Sequence, residues 1–181
     1  MRHTTDPQNE LLTEVTAQNE VIGPIPRNEA HTDNNKIYRQ TYIIVKDVKG
    51  RVLIQKRSAT KDLYPNCWDL SVGGHVPFGL NYEETAVKEL KEELGISTTK
   101  DDLTFMGEVL VDLPSSKEFF HVFEYTLKPT DTIHPMSEEV ADVQWMPIEK
   151  IQKSMKDQTM TWYPRPIQVV EKIYTNSMGN H

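Results

Sequence analysis

The chain has 181 residues, 37% of them apolar, which fits one domain with a core of its own. Its 20 basic residues stand against 27 acidic ones, a net charge of −7, and that balance argues against an electrostatic nucleic-acid partner. No apolar run approaches a membrane span, the polar start MRHTTDPQNE is no signal peptide, and a single cysteine excludes an internal disulfide framework. These features predict a cytoplasmic protein with one domain over residues 11–174 and disordered ends at 1–10 and 175–181.

Taken in order, Leu11 to Ile22 reads as strand with a polar break at Gln18-Asn19, a hairpin that Pro24 and Pro26 end. This hairpin offers a pairing edge for a homodimer. Residues 27–36 form a polar connector. Ile37 to Val45, rich in Tyr, Ile, Thr and Val, predicts a central strand. Asp47 to Gly50 is a turn, and Arg51 to Lys56 returns as the hairpin partner. After a loop through Tyr64-Pro65-Asn66, Trp68 to Val72 predicts a short strand that delivers the chain to Gly73-Gly74.

A glycine-bounded loop, Gly73 to Gly79, then leads into an acidic helix. Asn81 followed by Glu84 is a capping-box signature, which starts the helix at Tyr82, and Gly95 supplies the left-handed stop. Wound at about 100° per residue, Ala86, Val87, Leu90 and Leu94 form an apolar stripe. Glu89, Glu92 and Glu93 share a face beside it. Three carboxylates so close repel one another. They read either as a solvated acidic face relieved by Lys88 and Lys91, or as a cluster awaiting hard divalent cations.

Beyond the helix, Leu103–Val111 and Glu118–Leu127 alternate as strands, the second placing Phe119, His121, Phe123 and Tyr125 on one side. Val140–Met146 is a further strand. Pro147 at the first helical position opens a short helix over Ile148–Met155, and Pro166 opens a last one over Ile167–Tyr174. The order of elements predicts a mixed α+β sandwich.

From Gly74 the residues resemble the Nudix box, G-x5-E-x7-R-E-U-x-E-E-x-G-U, where U is aliphatic. Gly74, Glu89, Leu90, Glu92, Glu93, Gly95 and Ile96 match in register. Leu80 stands where that family has its first Glu, and Lys88 where it has Arg. The resemblance implies the Nudix fold, a mixed β-sheet between α-helices with an N-terminal hairpin extension, over roughly Tyr38 to Ile173. It implies a pyrophosphohydrolase that uses Mg2+ or Mn2+ to cleave a small organic diphosphate such as a nucleoside diphosphate derivative. Glu89, Glu92 and Glu93 would be the catalytic and metal-binding group, with Glu118 or the Glu138-Glu139 pair as an outside carboxylate.

Segments outside the box look like type I isopentenyl diphosphate isomerase: Ala30-His31-Thr32, Ser71-Val72 before Gly74-His75, the strand around Glu118, Val143-Gln144-Trp145, and Trp162 before a proline. That enzyme holds a metal with three histidines and two glutamates. His31, His75 and Glu118 match three of those positions, whereas Tyr38 replaces a histidine and Ser116 a glutamate. Gly73 occupies the place of its catalytic cysteine, and six residues of strand would put Cys67 about 20 Å away. The pattern fits a hydrolase of the isomerase-like branch better than an isomerase.

For substrate binding, Arg57 and Lys61 flank the loop opposite the box and are candidate phosphate contacts, as is His75; ordinary surface charge or a structural turn is the bland alternative. Trp162, Trp68 and Phe78 are candidate walls. His31, without its partner histidine, reads as a polar loop residue, and His121 as a hydrogen-bonded core or cleft residue. The rival to an enzyme is a non-catalytic Nudix-fold module that binds a diphosphate ligand, a reading that Leu80 and Lys88 support.

Overall fold

The computed structural model describes residues 9–61, 63–135 and 138–176, and the terminal stretches expected to be disordered fall mainly outside that range. Strands β1 (Leu11–Val15) and β2 (Val21–Pro26) form the expected hairpin. The strand continues through both prolines instead of ending before them. β2 is the outer strand of the order β2-β1-β3, where a missing N–H is harmless. The connector carries one helical turn, α1 (Arg27–Ala30), before β3 (Ile37–Lys46).

β3 is the central element. Along one edge it pairs in parallel with β8 (Ser116–Thr126), and along the other it meets β1 and then β6 (Val72–His75). Tyr42 and Ile44 enter one core, and Ile43 and Val45 enter the other. Both faces are buried along the second half of the strand, where Tyr42 to Val45 is an unbroken apolar run.

The predicted hairpin between β3 and β4 (Val52–Arg57) holds at a single pair, Lys46 with Val52. Beyond it, β4 turns to β5 (Trp68–Leu70) and β9 (Val140–Met146). Ser71 explains the opening. Its Oγ donates to the Leu53 carbonyl at 2.7 Å and accepts the Val45 N–H at 2.8 Å, so one side chain bridges the two parting backbones. The same residue divides the predicted Trp68–Val72 strand into β5 and β6.

Helix α2 (Tyr82–Leu94) has the capping box and a Gly95 at φ 72°, as the sequence predicts. Ala86, Leu90 and Leu94 pack it on one face of the sheet with Phe123 and Tyr125 of β8, while Val87 is half-buried. β7 (Thr104–Leu113) pairs antiparallel with β8. On the opposite face lie α3 (Ile148–Lys156) and α4 (Pro164–Asn176), seated through Ile151, Val169, Val170 and Ile173. Pro147 is the residue before α3 and not its first, and α4 starts at Pro164, so Pro166 falls within its first turn, where no intrahelical N–H bond is due. The result is the expected α+β sandwich of a mixed sheet between helices.

Ser71→Ala is expected to lower stability by about 1–3 kcal/mol, because the buried Val45 N–H loses its acceptor. Asn81→Ala, at an exposed cap, is expected to cost about 1 kcal/mol. Urea unfolding of the two variants checks both the size and the order.

Candidate active site

The residues that converge do so around one cleft of about 440 Å³ between the N-terminal end of β3, β6, α2 and the start of α4. Its outer wall comes from the box. The stripe of α2 presses the helix onto the sheet, which brings Glu89 and Glu93 to the cleft partly or wholly out of water and leaves Glu92 more exposed. A Cβ on Gly74 would lie 2.3 Å from Cδ of Glu89, so only glycine lets that carboxyl rest against the loop.

Burial pushes the Glu89 carboxyl up to about 7, with Lys88 opposing and Glu92 reinforcing the shift. Glu93 is pushed up to about 8, first by burial and then by Glu89, although Gln55 Nε2 donates to it at 2.8 Å. Lys88 Nζ lies 2.8 Å from Glu92 and 3.3 Å from Glu89, bridging the two as a point charge. Leu80 is exposed and outside the cleft.

These residues fit a hard divalent cation. The donors are all carboxylate oxygens, two of them raised by burial, and a bound cation would relieve that. Among the described residues no three His, Cys, Asp or Glu side chains already converge to hold an ion by themselves. The rest of the coordination would come from substrate oxygens and water, as is usual for Mg2+.

The wall facing the box is basic and histidine-bearing. Arg57, Lys61 and His75 all line the cleft. Arg57 donates to the Leu63 carbonyl and lies 3.5 Å from Asp69, and Lys61 pairs with Glu139 at 2.5 Å. His31 joins them: its Nε2 is 3.0 Å from Nε2 of His75, with the Tyr38 ring tilted beside both. One nitrogen of such a pair must donate and the other accept. Burial, aided by the charges of Arg27, His31 and Arg165, holds His75 well below the ordinary histidine range. His31 is therefore a cleft residue and not merely a loop residue.

Two predicted site residues lie elsewhere. Glu118, proposed as a metal ligand, is fully buried and does not line the cleft. One of its oxygens accepts from Tyr38 at 2.9 Å and from Arg165 at 3.1 Å, and the other lies at ion-pair distance, 2.9 Å, from Arg165 Nε. Trp162, proposed as a substrate wall, is a core residue, 8% exposed, whose Nε1 donates to Ser154 of α3. It is drawn inward because residues 161–163 pair with Trp68 of β5. Trp68 packs on the same core, Phe78 is exposed, and neither lines the cleft. His121 stacks on Tyr82 at 3.6 Å, away from the cleft, and bonds Glu108.

Gln40, Tyr163, Arg165, Arg27 and Glu10 line the cleft without having been picked out. A signal existed for two. Gln40 is a lone amide in an apolar strand, and Arg165 sits between Pro164 and Pro166 where a helix starts.

Gly73 also lines the cleft, and a Cβ there would meet the buried Tyr42 ring at 2.7 Å. A cysteine at this position would require that ring to shift. Cys67 is outside the cleft, packed against the core.

A family model described as NUDIX domain matches residues 37–167. The chain is 34% identical over 123 residues to an uncharacterized Nudix hydrolase of Pseudomonas aeruginosa, spanning 68% of this chain and 71% of the relative. It is 28% identical over 164 residues to an isopentenyl-diphosphate Delta-isomerase of Nocardia farcinica, spanning 87% and 93%. In fold it resembles the crystal structure of the Deinococcus radiodurans protein DR0079, with a TM-score of 0.77 at 24% identity over 91% of this chain and 99% of that one. The family match spans β3 to β9, the acidic helix and most of the cleft wall: the chain belongs to the NUDIX family and is an enzyme of its Nudix hydrolase type.

Proposed function

We propose that the cleft hydrolyses the bridge of a small organic diphosphate with Mg2+ or Mn2+ held by Glu89, Glu92 and Glu93. The observation that carries this reading is the burial of Glu89 and Glu93 at the cleft wall, with Gly74 leaving room for the Glu89 carboxyl. The ion, when bound, supplies charge neutralisation at the non-bridging phosphate oxygens. In the reaction the water oxygen bonds to one phosphorus, the bridging P–O bond breaks, and the water's proton must leave. A carboxylate beside the attacking water suits the acceptance of that proton. Arg57 and Lys61 hold phosphate oxygens, and neutral His75 can accept or donate one hydrogen bond beside them.

Lysine at 88 weakens this machinery without dismantling it. A planar guanidinium would grip two carboxylates in fixed geometry, and an ammonium does not. The same Lys88 supports a second reading, a module that binds a diphosphate without cleaving it, because its charge already bridges Glu89 and Glu92. Isomerase chemistry lacks its thiol at Gly73. The lone Cys67, unpaired, agrees with a reducing cytoplasm, and no described helix is long and apolar enough to cross a membrane.

Phosphate and pyrophosphate release from a panel of nucleoside diphosphates, nucleotide sugars, dinucleotides and isopentenyl diphosphate tests the two readings. Hydrolysis predicts metal-dependent release that Glu92→Gln reduces at least 100-fold. No release from any member, with a ligand still raising the melting temperature, makes the cleft a binding site.

The pH dependence of stability is a second check. The folded chain keeps protons on Glu89 and Glu93 up to about 7 and about 8, whereas unfolded carboxylates release theirs near pH 4.3 or so, about the ordinary Glu value. Stability of the metal-free protein therefore falls as pH rises through that interval. Melting temperatures across it are expected to drop less for Glu93→Gln than for the unaltered protein. Added Mg2+ is expected to restore the unaltered protein at the alkaline end and to leave the variant nearly unchanged.

A further inference from the structure

Tyr38, Gln40 and Tyr42 share one face of β3, and Glu118, Phe120 and Val122 are paired with them on β8. Tyr38 donates to Glu118, and Tyr42 donates to Asp69. Gln40, between them, is 1% exposed, and neither its Nε2 nor its Oε1 has a protein partner among the described residues. A buried amide left unpaired is unfavourable, and a methionine would fill the same space without that cost. Gln40 lines the cleft, so what pairs with it must come from the cleft side.

Two guanidiniums line the same cleft. Arg165, 7% exposed, lies over Phe120, the residue in register with Gln40, at 5.2 Å. Arg57 and Arg165 both pack on the Tyr163 ring, at 4.8 and 4.6 Å. Their counter-charges, Asp69 and Glu118, are buried and do not line the cleft, whereas both arginines do. Each inner pair is thus oriented, with the cation toward the cleft and the carboxylate toward the core. In the outer pairs, Lys61 with Glu139 and Arg27 with Glu10, both members line the cleft. Arg165 Nη2 donates to Glu118 and to Tyr163, while Nε faces Glu118 at ion-pair distance only and Nη1 has no protein partner among the described residues.

We propose that Gln40, Arg57 and Arg165 form a fixed receptor for a terminal phosphate, so that the substrate is a diphosphate with one free end. This rests on the reading of the cleft as a diphosphate site. A terminal phosphate presents three acceptor oxygens and close to two negative charges, which matches two guanidinium charges with their remaining N–H groups and an amide N–H. Its hydroxyl form also offers a donor to Gln40 Oε1. An internal phosphate carries one charge, and a second substituent on it would have to pass through this buried floor.

The test measures binding by calorimetry in EDTA, with inorganic pyrophosphate, ADP and ADP-ribose as probes, so that it does not depend on turnover. The unaltered protein is expected to bind pyrophosphate and ADP at least about 10-fold more tightly than ADP-ribose. Gln40→Met is expected to weaken pyrophosphate binding by about 10- to 100-fold while its melting temperature stays level or rises. A merely structural amide would give the opposite pattern. Arg165→Lys, which keeps the charge beside Glu118 but loses the fork, is expected to weaken binding several-fold. Pyrophosphate binding that is undetectable, unchanged in both variants, or no tighter than ADP-ribose overturns the receptor. If Glu92→Gln retains full turnover while Gln40→Met loses binding, the hydrolytic assignment fails and the receptor stands.

Discussion

The seating of α2 on the sheet is the constraint on which the site depends. Ala86, Leu90 and Leu94 must be buried, and on a helix the neighbouring positions go where those three go. Glu89 and Glu93 are carried out of water with them, into contact with the backbone at Gly74 and the amide of Gln55. The favourable burial of the stripe offsets the unfavourable burial of two carboxylates. The fold thereby holds ready a pair of groups that a cation would stabilise.

Around that strained wall the charges of the cleft sort into two kinds. At the outer end, Lys88, Lys61 and Arg27 pair with carboxylates that also face the cleft, and such pairs can exchange partners when an anion or cation enters. At the inner end, Arg57 and Arg165 are anchored from behind by Asp69 and Glu118. Removing either anchor would leave a buried cation without its counter-charge, which is strongly destabilising. The difference lies in the carboxylates: Glu10 and Glu139 remain partly exposed, whereas Asp69 and Glu118 are out of water.

The positions that depart from the two related patterns have structural counterparts. Gly73 lies under the Tyr42 ring, so the site of a reactive thiol is closed by an aromatic side chain. Tyr38 takes the place of a histidine and donates to Glu118, which in turn holds Arg165. A constellation that would hold a metal in the isomerase is here a tyrosine, glutamate and arginine network, with the His31–His75 pair left at its edge. Tyr163 and Arg165 reach that network because residues 161–163 are pinned to β5, a contact between chain segments nearly a hundred residues apart.

The sequence by itself determined the elements and the outer wall. Asn81, Glu84 and Gly95 bound α2 through local hydrogen bonds and backbone sterics, and the spacing of Glu89, Glu92 and Glu93 follows from helical periodicity alone. The Tyr, Ile, Thr and Val content of β3 likewise announced a central strand. Only the tertiary structure decided which polar residues meet. The bridging by Ser71, the withdrawal of Glu118 and Trp162 into the core, and the convergence of Gln40, Arg57 and Arg165 all depend on contacts between distant segments. Local patterns encode dihedral preference and the face a residue takes. Whether a buried polar group finds a partner depends on which other segment folds against it, and no periodicity within its own segment carries that information.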